Sequence, residues 1–195
     1  MTAHKPLVVV IAGPNGAGKS TSAPRLLRDT LEVKEFVNAD AIASGLSAFN
    51  PAEVAIQAGR LMLSRIKALA ESKEDFAFET TLASRSFAPW LSKLGRDGYS
   101  VHIAFLALPT PELAVARVAG RVSLGGHAIP EPVIRRRYRR GLVNFFNLYQ
   151  PIASTWEFSN NIEASGPQLV ARKDDRGHTM VFDEESWSHF REFST

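Results

Sequence analysis

The chain contains no cysteine, which excludes a disulfide framework, a thiol nucleophile and cysteine-rich zinc sites, and fits a reducing, cytoplasmic setting. No apolar run approaches the length of a membrane span, so no membrane partner is expected. Met1 to Pro6 carries one lysine and no cleavage pattern, and the apolar run behind it is expected to be a strand, not a signal peptide. Histidine is scarce as well. His102 falls in a strand-like stretch while His178 and His189 are isolated, so nothing resembles a histidine metal site. No apolar strand ends in the paired Asp-Glu of a hydrolytic ATPase, and no Asn-Lys-x-Asp guanine-reading motif occurs. A broad basic face is missing too. The net charge is +3, but Arg135, Arg136, Arg137, Arg139 and Arg140 supply five of the 23 basic residues, leaving 18 against 20 acidic. Basicity this local suits a nucleotide better than a polynucleotide.

What the chain does have is a phosphate-binding motif in the right setting. Gly13-Pro14-Asn15-Gly16-Ala17-Gly18-Lys19-Ser20 follows the apolar run Leu7 to Ile11 and, with Thr21, opens a helical segment. Glycines allow backbone N–H groups to converge on one point, and the helix N-terminus adds partial positive charge. Lys19 supplies a cation for the β- and γ-phosphates, and the Ser20 hydroxyl is an oxygen ligand suited to Mg²⁺. The ligand implied is ATP with Mg²⁺.

At 195 residues and 45% hydrophobic composition, one core and one domain over residues 1–195 are expected. Strand-like runs at Leu7 to Ile11, Glu35 to Asn38, Phe76 to Phe78, Val101 to Leu108 and Trp156 to Phe158 alternate with helical patterns. One such pattern is the apolar spacing of Val54, Ala58, Leu61, Met62, Ile66 and Leu69. Alternation of this kind predicts an α/β fold of the P-loop NTPase type, three layers deep, with a mostly parallel five-stranded sheet covered on both faces. A helical lid (about 117–141) and a small C-terminal hairpin plus helix (about 167–193) are expected to complete it. Leu169 to Arg172 and Thr179 to Phe182 would form the hairpin.

Ligands in such sheets collect at the carboxyl ends of the strands. Asp40 closes the second strand, where it could cap the next helix or accept the proton of an attacking hydroxyl. Glu79 closes the third, behind three apolar residues, and a carboxylate there needs a partner such as water-bound Mg²⁺ or a substrate hydroxyl. The five arginines after Pro130 fan over a wide face opposite Ile134, Tyr138, Leu142 and Phe145, so at most one or two can meet one phosphate. Gly125-Gly126-His127 reads as a joint between two arginine-bearing helices. Closure there would bring guanidinium groups onto a transferring phosphoryl group.

The phosphate loop, Val37-Asn38-Ala39-Asp40, Phe78-Glu79-Thr80-Thr81, Gly125-Gly126-His127 and Arg136-Arg137-Tyr138 together resemble the zeta toxin family, in its stand-alone kinase branch, over most of the chain to about Asn161. The resemblance implies a kinase of a toxin–antitoxin system, with an antitoxin protein as partner. Its reaction would be ATP-dependent phosphorylation of a 3′-hydroxyl of UDP-N-acetylglucosamine. By the same resemblance Asp40 is the base and, with Glu79, Thr81 and Arg85, contacts the acceptor. Lys19 and Arg121 are catalytic, and Arg117, Arg121 and Arg136, with Arg135 nearby, are drawn from the ATP-binding lid. Asn160-Asn161 would lie near the adenine. The alternatives are a P-loop hydrolase and an ATP-binding regulatory module without kinase activity.

Overall fold

The computed structural model describes residues 5–126, 128–162 and 166–193; His127, placed above in the joint between arginine-bearing helices, lies outside them. Seven strands run β1 (Leu7–Ala12), β2 (Glu35–Val37), β3 (Phe76–Thr80), β4 (Ser100–Ala107), β5 (Thr155–Asn160), β6 (Gln168–Lys173) and β7 (Thr179–Val181). Between them lie α1 (Lys19–Pro24), α2 (Ala39–Leu46), α3 (Ala55–Glu71), α4 (Phe87–Arg96), α5 (Pro111–Ser123), α6 (Glu131–Asn144) and α7 (Glu184–Glu192). Two helices continue as wider π turns, α1 over Arg25–Thr30 and α6 over Phe145–Tyr149.

The strands form one sheet in the order β2-β3-β1-β4-β5-β6-β7. The first five are mutually parallel and the last two antiparallel. β1 sits where the order reverses, with β3 on one side and β4 on the other, and its carboxyl end is therefore the crevice of the sheet. Its alternate residues serve two cores. Val8, Val10 and Ala12 join the large cluster shared with α3, α4, α6 and α7, while Val9 and Ile11 pack with Ala23, Leu27 and Val33 beneath α1.

The sheet has seven strands where five were expected, because the C-terminal hairpin does not stand apart. β6 pairs antiparallel with β5 from Trp156↔Lys173 to Asn160↔Gln168, covering an edge that would otherwise present unpaired backbone groups. Behind this extension Trp156 stacks on Trp187 of α7, ring centroids 5.6 Å apart and 8° from parallel, and Phe158 meets Phe190 at 5.1 Å. Cover on the opposite face stops short. Between α1 and the strands β4 to β6 an open groove of about 390 Å³ remains, with Arg25 and Leu26 on one wall and Glu157, Ser159 and Leu169 on the other. Leu61 departs from its expected place: Ala58, Met62, Ile66 and Leu69 turn inward on α3, whereas Leu61 is 44% exposed.

α5 begins and ends on local signals. The Thr110 hydroxyl accepts from Leu113 N–H, Pro111 occupies the first turn, and the C-terminus closes with Gly125 N–H donating to Val122 and Gly126 N–H to Arg121. This paired closure is a Schellman motif, and it fixes the last turn, where Arg121 sits. α6 is braced against the segment after β3: Asn144 Nδ2 donates to the Leu82 carbonyl at 2.7 Å, and Tyr149 donates to that of Ser84. Leu82 is fully buried at φ 54°, a conformation costly for a branched side chain and held there by these contacts.

Candidate active site

The loop after β1 has glycines at positive φ at positions 13, 16 and 18. At Gly13 (φ 140°) a Cβ would stand 2.1 Å from the Leu106 carbonyl oxygen, so the turn out of β1 is closed to any other residue. Pro14 and Ala17 form the loop's own turn, Ala17 N–H donating to the Pro14 carbonyl at 3.2 Å. From the far side Asn161, at the end of β5, donates through Nδ2 to the Ala17 carbonyl at 2.8 Å. Arg117 of α5 then donates to the carbonyls of Asn161 and Ile162 at 2.7 and 2.8 Å. The phosphate loop is thus shaped by β4, β5 and α5 together.

Lys19 is 6% exposed and donates to the Pro14 carbonyl at 3.0 Å, with Glu79 Oε1 3.5 Å away. Its pKa lies below the ordinary lysine value because burial strips hydration from the ammonium; Glu79 and Asp40 partly offset this, and the charge of Arg121 adds to it. Glu79 is at the centre of the site. Its Oε2 accepts from the Ser20 hydroxyl and from Asn38 Nδ2, each at 2.7 Å.

Asn38 caps α2, its Oδ1 accepting from the N–H groups of Asp40 and Ala41. The cap of this helix is therefore Asn38, and Asp40 stands in the first turn with its side chain exposed. Of the two sequence readings of Asp40, capping is the one the structure removes.

Two adjoining hollows meet over Lys19. One, of about 230 Å³, is lined by Asn15, Gly16, Gly18, Lys19, Ser20 and Thr21 together with Asp40, Glu79, Arg117 and Arg121. The other, of about 150 Å³, is bounded by Asn15, Lys19, Asn38, Asp40, Glu79, Thr81 and Arg137. Asp40 and Glu79 thus face both. The donor set on the nucleotide side, one serine hydroxyl beside carboxylates, suits Mg²⁺, which keeps several waters and draws other ligands from phosphates. Among the described residues no cluster of three or more His, Cys, Asp or Glu could hold a metal unaided.

The structure brings together Lys19, Ser20, Thr21, Asp40, Glu79, Thr81, Arg117 and Arg121. Arg136 and Arg85 are exposed and line neither hollow. Arg135 is engaged elsewhere, pairing with Glu112 and Glu131 across α5 and α6. The arginine of α6 that reaches the site is Arg137, with its guanidinium 3.5 Å from Asn15 Oδ1. Arg137 and the bridging Asn38 were not singled out from sequence. The helical wheel separates the arginines by direction but does not say which direction meets the loop. For Asn38 the signal was present, since an asparagine two residues before Asp40 at a helix start is a cap signature.

The sheet order and the glycine loop between β1 and α1 define an α/β protein of the phosphate-binding-loop class. The chain belongs to the zeta toxin family, whose sequence profile matches residues 1–153. It is 28% identical over 130 residues to an uncharacterised protein of Haemophilus influenzae, covering 67% of this chain and 91% of that one. Among solved structures, a chain of the AvrRxo1-ORF1:AvrRxo1-ORF2 complex crystallised with sulphate ions superposes with TM-score 0.77 at 16% identity, over 99% of this chain and 65% of that chain. The same pair with ATP gives 0.74 at 16% identity, over 99% and 64%. A chain of the PezAT chromosomal toxin–antitoxin system of Streptococcus pneumoniae gives 0.69 at 16% identity, over 97% and 79%. At such identities these likenesses establish the fold. This chain spans about 65% of the length of its AvrRxo1 neighbour.

Proposed function

We propose that this protein transfers the γ-phosphate of ATP to a hydroxyl of a small molecule, a UDP-activated amino sugar such as UDP-N-acetylglucosamine being the acceptor class. The observation that carries the reading is the sharing of Asp40 and Glu79 by two hollows that meet at Lys19. Membership of the zeta toxin family and a fold neighbour crystallised with ATP support it.

In the reaction proposed, phosphates lie in the loop of residues 13–21, and Lys19 turns from the Pro14 carbonyl to the β- and γ-phosphates. Asp40 accepts the proton of the acceptor hydroxyl as its oxygen attacks the γ-phosphorus, and the bond to the β–γ bridging oxygen breaks to release ADP. Arg121 and Arg137 stabilise the negative charge on the transferring group. Mg²⁺, held by the Ser20 hydroxyl and phosphate oxygens, would supply charge neutralisation when bound. Thr81 and Glu79 offer hydrogen bonds to the acceptor. Residues 117–141 serve as a lid on a single domain. An antitoxin protein is the partner the family implies, as in the PezAT system.

The test is phosphoryl transfer from γ-labelled ATP to a panel of UDP-sugars, nucleosides and short oligonucleotides. Label on UDP-N-acetylglucosamine is expected, and Asp40→Ala should lower transfer by about 10²-fold or more while leaving ATP affinity near wild type. Label released only as free phosphate would point to a hydrolase, and collapse of nucleotide affinity in Asp40→Ala would overturn its role.

A further inference from the structure

One carboxylate holds the two halves of the site together. Glu79 stands at the end of β3, in register with Ile11 of β1, where the phosphate loop begins, and its side chain is 12% exposed. Its Oε2 takes one hydrogen bond from each hollow: from Ser20 on the nucleotide side and from Asn38 on the acceptor side. Asn38 spends its other end on the Asp40 and Ala41 amides. An unbroken path of hydrogen bonds therefore joins the loop's serine to the first turn of the helix that carries Asp40. The second oxygen, Oε1, faces Lys19.

We propose that Glu79 is a positioning residue that couples nucleotide binding to the order of the acceptor site, an inference that rests on the kinase reading above. A serine hydroxyl has one proton and two lone pairs. By donating that proton to Glu79, Ser20 keeps its lone pairs for a phosphate-bound cation. With a cation bound there, the Ser20 hydroxyl would donate more strongly to Glu79, fixing the carboxylate and, through Asn38, the cap of α2.

Lys19 acts in the same sense. With phosphates in the loop its ammonium turns toward them, so Glu79 Oε1 loses its cationic neighbour and becomes a free acceptor for a donor in the second hollow. Filling the first hollow therefore prepares the second: Asp40 is held in place, and an anchoring oxygen is released for the incoming hydroxyl.

Amide hydrogen exchange of the whole chain, with and without Mg²⁺ and a non-hydrolysable ATP analogue, tests this without an acceptor. In the wild type the analogue should slow exchange at Asp40 and Ala41 by about tenfold, the scale of one hydrogen bond to a charged group. Glu79→Leu should abolish that slowing, because it removes the one oxygen that accepts from both Ser20 and Asn38, while the analogue, held by the phosphate loop, still binds within about tenfold of its wild-type affinity. Asn38→Ser keeps a capping oxygen but withdraws the longer amide arm that reaches Glu79, and should also abolish it. A purely structural role would shift exchange equally with and without nucleotide.

Equal slowing in wild type and both variants, or none in the wild type when the analogue is bound, overturns the coupling. Failure of the analogue to bind overturns the nucleotide site beneath it. The kinase reading stands or falls separately on label transfer, and there Glu79→Leu should raise the acceptor KM more than it lowers kcat.

Discussion

Two neighbouring arginines on one helix are separated by a single position and by their fates. Arg137 borders the hollow beside Asp40, whereas Arg136 points to solvent. Arg137→Ala should therefore lower kcat by about 10²-fold or more, the scale of removing one donor from a developing charge, and Arg136→Ala should stay within about threefold of wild type. Comparable losses in parallel steady-state kinetics would return Arg136 to the site. Lys19→Ala is expected to remove both nucleotide affinity and transfer, measurable by calorimetry and by label. The phosphate loop, Glu79 at the end of β3 and Asp40 just beyond β2 were legible in the chain because their chemistry is local: a few residues fix the dihedrals, and a strand end fixes the direction. Arg137 was not, because the choice among five arginines depends on how α6 lies across the sheet.

Elements were mostly readable, for the same reason. Periodicity placed α3 and the two faces of α6, and continuous apolar runs placed β1 and β4. What escaped was how elements lean on one another. Gly141 lies in α6 where a Cβ would stand 2.5 Å from the Thr81 carbonyl oxygen. In a free helix Gly→Ala would gain about 1 kcal/mol. Here it must push α6 off the segment after β3, and a clash with backbone costs more than propensity returns. Gly141→Ala is therefore expected to lower the midpoint of urea unfolding and to raise the acceptor KM, since Thr81 and Arg137 lie on the two sides of that contact. An unchanged or raised midpoint would show that the helix can shift freely.

For the whole molecule, the C-terminal hairpin is part of the sheet. Deleting residues 166–195 would uncover the edge of β5 and the ring faces of Trp156 and Phe158, and the truncated chain should aggregate instead of melting cooperatively, as light scattering during thermal unfolding would show. A second property of the whole is its response to acid. His102 is buried in β4 with Nδ1 2.8 Å from the Thr155 hydroxyl and Nε2 without a partner, and burial lowers its pKa to about 4. A folded-state value below the unfolded 6.5 means that stability is complete above the unfolded value and drains as pH falls toward the folded one. From about pH 7 to about pH 5 the loss should be about 2 kcal/mol in urea unfolding, and His102→Asn should flatten it. Both strands of the hairpin were legible in the sequence, but their joining the sheet was not, because the edge of β5 that β6 covers leaves no trace in the residues of the hairpin itself.

Asn161 and Arg117 clamp the phosphate loop from behind, at the Ala17 carbonyl and across the end of β5. A cradle held so firmly by its own scaffold works like a mould cast in advance. It gauges the length and charge of a phosphate chain through main-chain N–H groups and one ammonium, contacts that carry no information about the base attached. Choosing among nucleotides that share the same triphosphate is thus left to groups outside the mould.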